Sequence, residues 1–321
     1  MKKVLVIGAT GDQGHPLLRR LVTEGFAPVA ALRNPDALSG TEFSTIETVA
    51  ADLHETETFV KAASGVSAIA VNLPFTYDLD EARQFGAAIS AAARAGGVNG
   101  NGAERVVFNT SCYVHDSDLG LGGHDGRRII EQAIFDCGVP YAIFEPVVFM
   151  DNMIRSWCKP SIVNNDIFAY PAGPTLDSSW ICLEDIAAFM VEGIKRSHVK
   201  SGRFAIGGPE TLRGDDVAER LSRGAGRPIK FKSLSPDEFA AEMSLLVTGS
   251  REYAPGSLYE RISWFYQWYN DQTVSPLTVN MDSVLAQFPI ELTPLHEWAA
   301  KQDWTDPSDP ALGVRMAGKK T

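Results

Sequence analysis

Apolar residues in this chain gather in short, nearly unbroken runs, separated by longer stretches in which they recur at helical spacing. Val4-Leu5-Val6-Ile7, Val29-Ala30-Ala31-Leu32, a weakly alternating run at 46–51, Val66–Val71, Val106-Val107-Phe108 and Tyr141-Ala142-Ile143-Phe144 each predict a strand. Between them, Leu17, Leu18, Leu21 and Val22 share one helical face, and residues 54–63, 80–95 and 127–137 carry helical patterns. Gly25 and Gly138 stand where two of these helices should stop. Strands alternating with helices predict βαβ units and a doubly wound parallel sheet of the α/β class. Right-handed crossovers then place every strand C-terminus on one edge, where a crevice takes the ligand.

The rhythm changes after Pro146. A stretch rich in proline and aromatics follows; Trp180-Ile181, a helix from about residue 185 to 196 and a strand at 203–208 then look like a return to the sheet. Residues 214–224 and 236–247 are helical candidates, and Leu258, Ile262, Phe265 and Tyr269 give helical spacing across 257–270. That last helix reads as core or as a pocket wall. The tail after Trp304 is polar and reads as loose. The expected division is a nucleotide-binding domain over 1–150, with 180–207 returning to it, and a smaller, mostly helical closing domain over 151–321.

The first candidate chemistry lies directly after the first strand. Gly8-Ala9-Thr10-Gly11-Asp12-Gln13-Gly14 joins a buried strand to an amphipathic helix with Pro16 in its first turn. Glycine tolerates positive φ in a tight turn and lets a diphosphate approach the backbone where a Cβ would intrude. The helix N-terminus behind it offers free N–H groups and a positive dipole end. Strand, glycine turn and helix in this order point to dinucleotide binding. Arg33 stands at the tip of the second strand, where an acidic residue would favour NAD and an arginine accommodates a 2′-phosphate, so NADP(H) is expected over NAD(H). Asp52, at the third strand tip, either accepts from the adenine amino group or caps the following helix. Asn72-Leu73-Pro74-Phe75 reads as an extended turn flanking the cofactor.

Composition narrows the class. The formal net charge of −11 argues against a general nucleic-acid surface. Cys112, Cys137, Cys158 and Cys182 are scattered without a CxxC pair and read as reduced thiols, with no metal-site spacing. No apolar run is long enough for a membrane span, and the glycine turn interrupts the run that follows Met1-Lys2-Lys3 before it could serve as a signal peptide. A cytoplasmic protein is expected. The 96–102 segment, with four glycines and two asparagines, reads as a surface loop without chemistry.

Gly8-Ala9-Thr10-Gly11-x-x-Gly14, Arg33-Asn34-Pro35, Asp52-Leu53 and Glu145-Pro146-Val147-Val148-Phe149-Met150-Asp151-Asn152 together resemble the NmrA-like branch of the atypical short-chain dehydrogenase/reductases. The likeness extends to Gly207-Gly208-Pro209-Glu210, the aromatic helix and Leu295-x-x-Trp298. It implies a Rossmann-type domain that binds NAD or NADP, with a smaller domain closing the pocket. The cofactor residues it implies are Gly8, Thr10, Gly11, Asp12, Gln13, Gly14, Arg33, Asp52, Asn72, Pro74, Ser111, Pro146 and Val148; Phe149, Asn152, Trp157 and Trp180 are expected to line the substrate pocket.

Two departures stand out. The family pattern Tyr-x-x-x-Lys is replaced by Gly123 and Arg127, so the usual proton donor is absent. Arg127 can hold a nicotinamide ribose by charge-assisted hydrogen bonds but cannot titrate near neutrality. Where the family often has Arg-Pro, this chain has Glu145-Pro146, which has no reading from sequence. Tyr113 and His124 are the candidate proton donors; the alternatives are a pocket wall for Tyr113 and a solvated loop for His124. Ser111 either bonds a substrate carbonyl or ends a strand. Two functions fit: an NADPH-dependent reductase of a small activated carbonyl, quinone or imine-like compound, or an NADP-sensing regulator acting through a protein partner. A homodimer fits either.

Overall fold

The computed structural model describes residues 1–309 apart from Val98. Its elements run β1 (Lys3–Ile7), α1 (Gly14–Thr23), β2 (Ala27–Leu32), β3 (Glu47–Ala50), α2 (Thr56–Ala62), β4 (Ala68–Asn72), α3 (Leu79–Ala95), β5 (Arg105–Asn109), α4 (Gly122–Phe135) and β6 (Tyr141–Pro146). There follow β7 (Val148–Phe149), α5 (Lys159–Asn165), β8 (Ile167–Tyr170), β9 (Trp180–Ile181), α6 (Leu183–Lys195) and β10 (Gly202–Ile206). The chain continues through α7 (Gly214–Ala225), β11 (Lys230–Ser233), α8 (Pro236–Thr248), α9 (Leu258–Asn270), α10 (Asp282–Gln287) and α11 (Leu295–Ala300).

Seven strands form one parallel sheet in the order β10-β6-β5-β4-β1-β2-β3. The side-chain period of two explains why its strands read as continuous apolar runs: both faces are covered. Val4 and Val6 face one core with Leu17, Leu18 and Leu21 of α1 and Phe189 of α6. Leu5 and Ile7 face the other with Phe59 of α2, Phe85 and Ile89 of α3, and Ile130 and Ile134 of α4. The order reverses at β1, which makes the crevice beyond β1 and β4 the topological switch point of a Rossmann-type fold. A third core gathers residues after Pro146, among them Met153, Phe168, Trp180, Leu221, Tyr269 and Trp298.

Several elements differ from the sequence expectation. Helix α4 begins at Gly122, not Arg127, so Gly122, Gly123 and His124, for which a solvated loop is one reading from sequence, lie in its first turn. Glycine is needed there by packing: a Cβ on Gly122 would stand 2.6 Å from the Tyr77 carbonyl oxygen, and one on Gly123 would stand 2.5 Å from the Phe75 ring. Trp180-Ile181 pairs with Val148-Phe149 in a separate two-stranded ladder, while α6 and β10 are the parts that pack on and join the large sheet. Short elements β8, β11, α5, α10 and α11 carry too few residues to announce themselves by periodicity. The tail is tied as far as Asp309, whose carboxylate takes the Ser156 backbone N–H at 3.0 Å; the remainder of the segment expected to be loose, 310–321, lies outside the described residues.

A buried charge network explains Glu145. Its Oε1 receives Arg203 Nε at 2.5 Å and its Oε2 receives the Val114 backbone N–H at 3.3 Å. Arg203 Nη2 donates to the Val114 carbonyl at 2.5 Å, so both sides of residue 114 are held and the loop after β5 is anchored. Glu131 of α4, 1 % exposed, lies 3.4 Å from the same guanidinium. Burial pushes its carboxyl up to about 8, and the neighbouring Glu145 adds to this against the pull of Arg203.

Glu131 therefore keeps its proton in the folded state at neutral pH and loses it on unfolding. The folded chain binds the extra proton between the ordinary glutamate value of 4.5 and about 8. Its stabilising contribution is thus full below that window and declines as pH rises through it. Glu131→Gln, which mimics the protonated acid, is expected to flatten the fall in urea midpoint from pH ~5 to pH ~8. An unchanged pH slope in the variant would show that Glu131 is ionised in the fold.

Candidate functional site

The glycine turn packs against the end of β4. Gly8 has φ +76°, and a Cβ there would stand 2.1 Å from the Asn72 carbonyl oxygen. A Cβ on Gly14 would stand 2.3 Å from the Gly8 carbonyl oxygen. Both glycines are demanded by the protein's own backbone. Gly11 is different: it is exposed, its φ is ordinary, and a Cβ on it would meet only the Gly8 carbonyl at 3.6 Å. Thr10 and Asp12 beside it are also exposed. Helix α1 has no side-chain cap and no acidic residue in its first turn; the Gly14 and His15 N–H groups bond to the Gly11 carbonyl at 2.9 and 3.1 Å and Pro16 has none, so the part open to a ligand is the turn at 11–13 in front of the helix. An open backbone cradle in front of an uncapped helix fits the diphosphate of a dinucleotide.

Four polar side chains close the crevice floor. Asn109, at the end of β5, donates from Nδ2 to Gln13 Oε1 and, at 2.9 Å, to Asn72 Oδ1. Its Oδ1 receives the Ser111 backbone N–H at 2.9 Å, and Ser111 Oγ donates to Gln13 Oε1 at 3.1 Å. Ser111 is held at φ +64°, a conformation that costs energy in a non-glycine residue and collects at functional sites. The structure thus brings Gln13, Asn72 and Ser111 together and adds Asn109, a polar strand end that sequence reasoning passed over. Pro146 ends β6 and is buried.

At the second strand tip Arg33 is exposed just beyond β2, and it lies near enough to Asp52 to stabilise its carboxylate. Asp52 does not cap α2, whose N-cap is Glu55; it holds His54 instead, accepting from the backbone N–H and facing ring Nδ1, both at 3.0 Å.

From the crevice a cavity of about 1170 Å³ opens, with Asp12, Gln13, Pro74, Ser111 and Val148 at one side. Phe149, Asn152, Trp157 and Trp180 line it, joined by Phe75, Tyr77, Phe265, Tyr266 and Tyr269. Asn152 Nδ2 donates to the Tyr170 hydroxyl at 3.1 Å, which lies 3.2 Å from the Tyr266 hydroxyl. Arg155, 7 % exposed, is a wall residue that sequence gave no signal for. It pairs with Asp12 at 3.0 Å and Asp309 at 3.3 Å. Asp151 also lines the cavity and accepts the Leu183 backbone N–H at 3.0 Å; burial, with Glu184 adding, pushes its carboxyl up to about 7.

The three residues expected to carry chemistry stand behind this wall. His124 is not a loop residue: it sits in the first turn of α4, 1 % exposed, stacked on Phe265 at 4.8 Å. Its Nδ1 lies 2.9 Å from the Tyr113 carbonyl, which fixes that nitrogen as the N–H donor. Burial lowers its pKa to about 4, so it carries no extra proton at neutral pH. Tyr113 stacks on Trp268, with ring centroids 6.1 Å apart and an interplanar angle of 15°. Arg127 is 1 % exposed and donates from Nη2 to the Leu73 and Pro74 carbonyls at 2.9 and 3.0 Å, with its guanidinium 4.9 Å from the Phe75 ring. Burial lowers it to about 10, which leaves it charged at neutrality. It braces the strap between β4 and α3, and Phe75 of that strap fills the space against Gly123 where the expected tyrosine would stand.

Among the described residues no helix is long and apolar enough to cross a membrane, and no cluster of His, Cys, Asp and Glu could hold a metal ion. The chain is 29 % identical over 244 residues to the NAD(P)H azoreductase of Xenophilus azovorans, covering 75 % of this chain and 80 % of that protein. Its fold matches that of Citrobacter sp. triphenylmethane reductase, solved with NADP(H), with a TM-score of 0.73 at 18 % identity over 93 % of this chain and 99 % of that one. It equally matches NmrA, a negative transcriptional regulator solved with NAD, with a TM-score of 0.70 at 15 % identity over 94 % of this chain and 98 % of that one. The model of the NmrA-like family matches residues 1–299, and the chain belongs to that family.

Proposed function

We propose that this protein is an NAD(P)H-dependent reductase of a conjugated, electron-poor acceptor, a quinone, imine-like compound or activated carbonyl, and that it prefers NADP(H). The observation that carries the reading is continuity: the crevice beside the glycine turn opens into a large aromatic cavity, so one space takes a dinucleotide and a flat acceptor side by side. A bound nicotinamide cofactor supplies the hydride. The chain's own residues orient. Gly8, Gly11 and Gly14 admit the diphosphate, and Thr10, Asp12, Gln13, Asn72, Pro74, Ser111, Pro146 and Val148 frame the cofactor's path. Arg33 reads a 2′-phosphate. The aromatic wall holds the acceptor against the crevice and excludes water. The named activities of the azoreductase and triphenylmethane reductase relatives support this class.

No tyrosine–lysine pair serves the proton. A conjugated acceptor becomes a stabilised anion on reduction, so solvent or the Asp151 carboxyl is sufficient, whereas a simple aldehyde needs a strong positioned donor. The second reading, a cofactor-sensing regulator, is favoured by one observation: Tyr113, His124 and Arg127 are all engaged in packing behind the wall.

Gly11→Val is expected to abolish NADP(H) binding in calorimetry while changing stability by no more than ~0.5 kcal/mol, because the protein itself leaves room there. Retained affinity would refute the cradle. Arg33→Ala is expected to weaken NADPH by ~1.5–3 kcal/mol, the worth of a charged hydrogen bond, and to leave NADH unchanged; equal losses would exclude phosphate reading. In a panel of quinones, enones, imines and simple aldehydes, aldehydes are expected to lag by ~10²-fold or more. Tyr113→Phe and His124→Ala are expected not to alter the ranking. Absence of turnover on every acceptor, together with cofactor-dependent capture of a protein partner, would establish the regulator instead.

A further inference from the structure

The cavity wall carries two arginines, and they differ in what engages them. Arg155 is held between two carboxylates. Arg261, on α9, has no carboxylate within ion-pair distance among the described residues. Its guanidinium lies 5.8 Å from the Tyr77 ring centroid, and Nη1 reaches the Tyr77 carbonyl only at 3.5 Å, the outer limit of a hydrogen bond. The acids that share the wall are committed elsewhere. Asp78 accepts the backbone N–H groups of Asp80 and Glu81. Asp80 pairs with Arg83, and Glu81 takes the Thr76 hydroxyl and faces His54. Asp151 holds the start of α6, and Asp12 holds Arg155.

Arg261 is thus a half-buried cation in an aromatic chamber, stacked on a ring but without a counter-charge. It stands one helical turn before Phe265, on the face of α9 that lines the cavity with Ile262 and Tyr269. An acceptor ring lying on Phe265 would bring a substituent to the guanidinium. The planar fork matches a carboxylate, sulfonate or phosphate by paired N–H donors, and it binds best where water is partly excluded.

We propose that Arg261 is an anion-recognition residue of the acceptor cavity, and that the acceptor is an aromatic or conjugated compound bearing a carboxylate, sulfonate or phosphate group. This rests on the reductase reading for the word acceptor, but the anion site is testable without turnover. Binding of naphthalene sulfonate and of neutral naphthalene methanol is measured by quenching of protein fluorescence in the parent, Arg261→Gln and Arg261→Lys. The parent is expected to prefer the sulfonate by about tenfold or more; the preference is lost in Arg261→Gln and partly restored in Arg261→Lys. In turnover, the kcat/KM ratio of naphthoquinone sulfonate to naphthoquinone is expected to fall by a similar factor through KM. The neutral probe reports whether each variant keeps a folded cavity. No preference in the parent, or a preference unchanged in Arg261→Gln, would overturn the proposal. So would a loss of NADPH affinity in Arg261→Gln, which would assign the guanidinium to the cofactor's phosphates. A sulfonate preference that Arg261→Gln abolishes, with no acceptor reduced, would keep the anion site and remove the reductase reading.

Discussion

A Cβ on Gly8 would come within 2.1 Å of the Asn72 carbonyl oxygen, and one on Gly14 within 2.3 Å of the Gly8 carbonyl. This close approach of the turn to the end of β4 is the constraint on which the site depends. It seats α1 directly behind the sheet edge, so that Gln13 falls beside Asn72 and Asn109. A turn lifted by the width of one methyl group would separate those amides and leave buried polar groups without partners, each costing ~1–3 kcal/mol. The positive φ of Ser111 is maintained by the same network, because Asn109 takes its backbone N–H and Gln13 its hydroxyl.

The sheet was legible in the sequence because each of its central strands is apolar on both faces, and the helices between them carry a period of their own. The glycine turn was legible because its chemistry is local: strand, turn and helix are contiguous. What stayed hidden depends on partners distant in sequence. The glycines of α4 look like a loop until Phe75 and Tyr77 are seen pressing on them. Glu145 has no meaning until Arg203, on β10, arrives beside it. Arg155 and Asn109 carry no pattern of their own, since an arginine among aromatics and a polar strand end are both commonplace.

The expectation for His124 shows how burial overrides residue type. Histidine in a glycine-rich segment reads as solvated. Helix α4 starting at Gly122 turns it inward, and Phe265, Trp268 and Tyr269 surround it. Removing the ring from water disfavours its charged form, and the hydrogen bond to the Tyr113 carbonyl recovers only part of that loss. His124, Tyr113 and Arg127 therefore act on the site through others. They fix the loop after β5, the strap after β4 and the aromatic face of α9, which are the surfaces that form the cavity.

The two halves of the site meet at Asp12. This residue belongs to the glycine turn, yet its partner Arg155 belongs to the segment beyond β7, and Asp309 of the tail holds the other side of that guanidinium. Burying an arginine to 7 % exposure is costly unless its charge is matched. Here two carboxylates flank the one guanidinium, and the positive end of α1 favours the nearer one. The pairing has an electrostatic consequence for the crevice. A lone carboxylate at the mouth of the helix would repel a diphosphate. With Arg155 paired to it at 3.0 Å, the Asp12 carboxylate repels an anion at the turn less than a lone one would. The residue that closes the aromatic cavity onto the turn is therefore the same one that tempers the carboxylate standing in the turn, so the two halves of the site are coupled through Arg155.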